Sequence, residues 1–264
     1  MQARALVLAA ALIVGAAAFA PRPSPTTVQR FKVAEINHQV VDLSSFGQPE
    51  QTTHIITSTY VTVSSTDSAG GKAVKLVIDS VHADSVSAQG FDPSVLDSLK
   101  GVSATGWVAA NGRLLNVQAD TLRGGQAGNV LRALYPRMDP RAKVGDRWTD
   151  TTEVHGMGGG MLSNATTKRI TNWAVTSEEM MSGVKARKVE SAFSQSVTGT
   201  MNGPQGSMAI DGTGTGTATY FVAPDGHDLG ITSSLTLQIS ITIPQAADPI
   251  PVNGTITAVV TPIR

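Results

Sequence analysis

The sequence predicts a mainly β (α+β) chain: a long, curved antiparallel sheet or half-barrel of about eleven strands, with two short helices on its apolar face. Three observations carry that expectation. From Asp228 to Pro244 the odd positions hold Leu229, Ile231, Leu235, Leu237, Ile239, Ile241 and Ile243, and only Ser233 breaks the series. The even positions are Gly, Thr, Ser and Gln, so this stretch has one dry face and one wet face, which is the period of a strand. Aromatics make up only 5% of the chain, while Gly, Thr, Ser and Val are abundant, a composition that suits sheets and turns. Finally, Gly70-Gly71, Asn111-Gly112 and Pro224-Asp225-Gly226 supply turn chemistry between the β-like runs.

Residues 1–20 read as an export signal. Arg4 forms the basic region, Ala5 to Ala18 the apolar region, and Ala18-Phe19-Ala20 an A-x-A cleavage site. The apolar run is short and Ala-rich for a bilayer anchor. Residues 21–27, with three prolines, form an extended leader, and 28–264 are expected to be a single β-rich domain, periplasmic or extracellular, without a transmembrane span in the mature chain.

In chain order, Phe31, Val33, Glu35, Asn37 and Gln39 alternate weakly, as expected of an outer strand. Residues 52–64 and 74–89 form a hairpin about Gly70-Gly71. Asp92-Pro93 opens a first short helix with Val95, Leu96 and Leu99 inward and Gly101 as its stop. Residues 102–110 and 113–119 pair across Asn111-Gly112. A second helix over 125–135 turns Ala127, Val130, Leu131, Leu134 and Tyr135 to one side and ends at Pro136. Strands follow from about 147, over 162–176 and over 184–197, and then the last three complete the sheet.

The turn after Ala223 sets the register of the next pair. Val222 is expected opposite Leu229, Tyr220 opposite Ile231, Gly216 opposite Leu235, Gly214 opposite Leu237 and Gly212 opposite Ile239. Pairing Ile243 with Val252 sets Ile256 beside Ile239. Three glycines in series on an inner face either bend the sheet or leave room for a helix, a side chain or a ligand.

Candidate chemistry is thin. The chain carries 20 basic and 20 acidic residues and shows no basic stripe, so nucleic acid is not an expected partner. With no cysteine there is no disulfide, thiolate site or lipidated N-terminal cysteine. Gly101-Val102-Ser103-Ala104-Thr105-Gly106 departs from a nucleophile elbow by one position and falls on a strand. His155, Met157 and Met161 have the soft donors copper takes, yet M-x-M repeats are missing, and no cofactor or metal is expected.

Tyr135-Pro136 followed by Val144-Gly145-Asp146-Arg147-Trp148 resembles a segment of uncharacterised exported bacterial β-rich proteins, in which a Val-Gly-Asp-x-Trp turn delivers a strand. In strand count and helix placement the chain resembles, by architecture alone, the periplasmic lipoprotein-carrier half-barrels that hold acyl chains. That likeness implies a concave apolar face. The apolar-and-glycine face of the last strands and the absence of catalytic motifs give a non-catalytic expected function: an exported envelope protein binding an apolar or amphipathic, lipid-like ligand. Its lining would be Leu131, Leu134, Tyr135, Gly212, Gly214, Gly216, Leu235, Leu237, Ile239 and Ile256. The alternative is a structural or adaptor protein that meets an envelope protein partner through a sheet edge such as Val28 to Val41.

Overall fold

A computed structural model describes residues 26–87, 94–119, 125–135, 142–155, 164–181, 183–203, 206–224, 228–244 and 248–263. The export signal, most of the leader, and the loop with Met157 and Met161 lie outside these residues.

The described strands form one antiparallel sheet. They are β1 (Thr26–Val41), β2 (Gln51–Ser68), β3 (Gly71–Ser87), β4 (Ser103–Ala109), β5 (Leu114–Ala119), β6 (Arg147–His155), β7 (Asn164–Met181), β8 (Val184–Gly203), β9 (Gly206–Val222), β10 (Asp228–Thr242) and β11 (Ile250–Ile263). Their order across the sheet is β5-β4-β3-β2-β1-β11-β10-β9-β8-β7-β6. Consecutive strands other than β5 and β6 are antiparallel neighbours, β1 pairs with β11, and among the described residues β5 and β6 are the two edges. The sheet is open, not a closed barrel.

This order corrects the placement of β1. Its polar odd positions suggested an outer strand, but from Arg30 to Val41 it is paired with β2 on one side and β11 on the other. Glu35, Asn37 and Gln39 are polar because of where they sit on the sheet face, as set out below, not because the strand is at an edge.

The helical content also differs from the two helices expected. Among the described residues there is one helix longer than a turn, α1 (Gly125–Leu134), together with a single turn at Ser94–Asp97. That turn's C-terminal end is closed. Leu99 and Lys100 close back on Leu96 and Asp97, and Gly101, at φ 81°, turns the chain so that its N–H donates to the Ile78 carbonyl at 2.8 Å.

The core forms where α1 covers one face of β3, β4 and β5, with Leu131 fully buried and Leu134 nearly so. Leu76, Ile78, Val61 and Val63 lie beneath them, and the same cluster runs across the sheet to Ile231, Tyr220, Val189 and Val175. Along β3, Asp79 and Asp84 sit in two bulges that shift the pairing with β2. Each Asp accepts a hydrogen bond from a β2 hydroxyl, Asp79 from Thr62 and Asp84 from Ser58. Bulges of this kind add local twist to a long strand.

The predicted β9–β10 register is observed from Tyr220–Ile231 through Gly212–Ile239. It fails only at its start, where a bulge pairs Asp228, not Leu229, with Val222. The next hairpin turns earlier than expected. Ile241 pairs with Ile250 and Leu235 with Ile256, so Ile256 stands beside Leu235 and not beside Ile239. The slip moves the partners by an even number of positions, so the apolar residues stay on the same face.

Candidate functional site

The face that carries α1 can be followed in rows across the strands. One row runs Val175, Val189, Tyr220, Ile231, Val260 and Val33, and every member is buried. Beyond Trp173 the next row turns small and polar, with Ser191, Ala218, Ser233, Ala258 and Glu35. Then come Thr171, Phe193, Gly216, Leu235, Ile256 and Asn37, and beyond them Arg169, Gln195, Gly214, Leu237, Gly254 and Gln39. Leu235, Leu237, Ile239 and Ile256 are only half-buried, and of these only Ile239 packs on a buried cluster, the small one of Ala165, Val197 and Ile210. One end of the face is thus dry core, and the other is a half-exposed aliphatic floor with polar groups on its flanks.

The ten candidate lining residues accordingly fall in two places. Leu131, Leu134 and Tyr135 belong to the main core or pack on it, near β3 to β5. Gly212, Gly214, Gly216, Leu235, Leu237, Ile239 and Ile256 share the half-exposed floor of β9 to β11. Only the second group forms a continuous surface.

The glycines admit their neighbours' side chains. A Cβ at Gly214 would stand 2.7 Å from Leu237 Cδ2, and one at Gly212 would stand 3.0 Å from Ile239 Cγ1. At Gly216 it would collide with the Phe193 ring and the Ser234 carbonyl. The stripe therefore lets Phe193, Leu237 and Ile239 lean over bare backbone, and the exposed floor is made of those larger side chains.

Sequence reasoning missed the charged groups on this face. Arg169 lies on β7, largely buried, with its Nε and Nη2 donating to Gln195 Oε1 at 3.0 and 2.7 Å. Its guanidinium stacks over Phe193, 4.3 Å from the ring centroid. Burial pushes its pKa down and the nearby Tyr220 pulls it back up. Among the described residues no carboxylate is within ion-pair distance of it. On the opposite flank, burial raises the Glu35 carboxyl, and Asn37 Oδ1 is buried without a hydrogen-bond partner. Trp173 Nε1 is likewise a buried donor without a partner. An Arg four residues before Trp173 on one strand shares its face, so strand parity was the available signal.

At the far end of β10, Asp228 is buried beside two tyrosines. Burial holds its carboxyl well above the usual range. Burial, reinforced by Asp228, pushes the Tyr135 phenol up to about 12, and the same two causes raise Tyr220. Tyr135 follows the last turn of α1, so this group joins the helix to the sheet.

The Val144-Gly145-Asp146-Arg147-Trp148 segment is a clamp on β7. Gly145 adopts φ 98° and donates to the Val175 carbonyl, and Val175 N–H donates back to the Asp146 carbonyl. The Asp146 carboxylate accepts from Lys143 N–H at 2.8 Å, closing the turn. Trp148 is thereby stacked on Trp173, centroids 5.9 Å apart and planes 7° from parallel, and packs on the core. A φ of this sign favours glycine, and an Asp carboxylate suits the turn's free N–H.

Of the His155, Met157 and Met161 set, the side chains lie outside the described residues. Among those described, no three His, Asp or Glu side chains are grouped to hold a metal, and no helix is long and apolar enough to cross a membrane. No family model and no curated protein matches the chain. Among solved structures it aligns with OmpT, an outer membrane protein of Vibrio cholerae. The loop L8 deletion mutant aligns at 9% identity and TM-score 0.23, over 89% of this chain and 99% of that one. The in-vitro folded form, described as a trimer form, aligns at 8% identity and TM-score 0.19, over 90% of this chain and 99% of that one. Likeness at that level assigns neither fold nor function.

Proposed function

We propose that the chain is an exported, non-catalytic envelope protein that binds an apolar or amphipathic, lipid-like ligand on the concave face of a half-barrel. The observation that carries this reading is the uneven covering of one sheet face. Row by row, the same strands pass from buried core to half-exposed Leu235, Leu237, Ile239 and Ile256, while among the described residues α1 packs chiefly on β3 to β5. An apolar face left partly open costs stability unless something covers it. Export follows from the basic, apolar and A-x-A pattern of residues 1–20.

The test is direct. The protein is purified from the envelope of an exporting host, extracted with organic solvent and examined by mass spectrometry, and its melting is followed with added fatty acids and lysolipids. Co-purified lipid and a raised melting temperature are expected. No lipid and no stabilisation would overturn the reading.

The two free edges favour a second reading, a structural or adaptor protein. β5 and β6 each have one side without a strand partner, the geometry that accepts a strand from another chain. From Arg30 to Val41 the Val28 to Val41 stretch is not available for this, since β1 is paired there on both sides. Crosslinking in cells that traps one reproducible protein through β5 or β6, with no lipid bound, would favour it.

A further inference from the structure

Resting on the ligand-binding reading above, we infer that the ligand is a single-chain amphiphile with an anionic head, and that Arg169 receives the head. A buried cation without a counter-charge is unfavourable, and proteins ordinarily pair it or leave it in water. Arg169, only partly open to water, has no such counter-charge among the described residues. Gln195 fixes its plane through two hydrogen bonds to a single amide oxygen, and Phe193 supports one face of the guanidinium. Its Nη1 makes no hydrogen bond to a described residue. A positioned guanidinium with a spare donor edge is the group that best matches a planar carboxylate or a phosphate.

The surroundings set the polarity of the bound molecule. From Arg169 the floor continues across Gly214 to Leu237, half-exposed and apolar. In the same rows the β1 flank carries Glu35, Asn37 and Gln39, none of them a cation that could hold an anion as Arg169 does. Five strand spacings separate β7 from β1, about 24 Å along the sheet. The head therefore belongs at β7 and the hydrocarbon over β9 to β11.

The experiment compares palmitate, lysophosphatidate and 1-hexadecanol below their aggregation concentrations, with binding to the full chain read from tryptophan fluorescence. On the unmodified protein, one or both anions should bind at least about tenfold tighter than the alcohol, and their order tells carboxylate from phosphate. Arg169→Gln should erase that preference by weakening the anions while leaving hexadecanol unchanged, and Arg169→Lys should keep part of it. Equal binding of all three probes to the unmodified protein would overturn the anionic head and leave the lipid-binding reading standing. Binding of none would overturn both. If Arg169→Gln does not fold, Arg169→Lys decides the assignment: an undiminished preference for the anions in that variant would overturn the role of the planar guanidinium.

Discussion

The ring of Phe193 on β8 occupies the space that a side chain on Gly216 of β9 would fill. This pairing explains why a strand interior tolerates glycine there: the entropy it costs is offset by a large ring laid over backbone. Gly216→Val should therefore destabilise by about 1–3 kcal/mol, because the Ser234 carbonyl on the other side cannot yield. Thr215→Val, on the exposed opposite face, should shift stability by no more than about 0.5 kcal/mol. Urea midpoints of the two variants check the contrast, and equal losses would refute it.

Leu131 is the anchor of α1, with no exposed surface in the main core. Leu131→Ala should cost about 2–5 kcal/mol in equilibrium unfolding. If α1 were a loosely held cover, the loss would be within experimental error.

Asp228 predicts a stability that falls as pH rises. Its folded carboxyl is raised by burial, so the folded chain keeps a proton that the unfolded chain releases near pH 4. The favourable contribution is complete below the unfolded value and is lost as pH climbs through the folded one, by at most about 1.4 kcal/mol per pH unit. Asp228→Asn should remove this decline and exceed the wild type in stability at neutral pH. Glu35 acts in the same direction, so the quantity to measure is the difference between wild type and variant melting temperatures from pH 4 to 8. A constant difference would contradict the assignment.

Gly145→Ala should strain the turn at φ 98° and cost more than about 1 kcal/mol. Because that turn delivers Trp148 to Trp173, the near-ultraviolet circular dichroism of the stacked indoles should weaken with it. An unchanged spectrum would show that the stack does not depend on the turn.

Strand parity made much of this fold legible. The alternation in β10 and the glycine repeat in β9 fixed their mutual register from Tyr220 to Gly212, because a one-residue slip would have turned Leu235 and Leu237 to water. What parity could not supply was position along the sheet. Nothing local distinguishes Glu35 and Asn37 at a strand edge from the same residues in mid-sheet, and β1 was misplaced for that reason. The site was less legible still. Leu131 and Leu235 are both apolar in sequence, and only the packing of α1 on β3 to β5 separates core from floor. Arg169 has meaning only once Gln195, Phe193 and Tyr220 stand beside it, and these come from two other strands.

The pairing of β1 with β11 has a bearing on how the chain reaches this state. The middle of the sheet is stitched by strands from opposite ends of the sequence, Val33 against Val260 and Asn37 against Ile256. Each side can zip up hairpin by hairpin, but the two sides cannot join until β11 has been made. A chain emerging from the ribosome therefore keeps β1 and β2 without their central partner until its last described strand has been made.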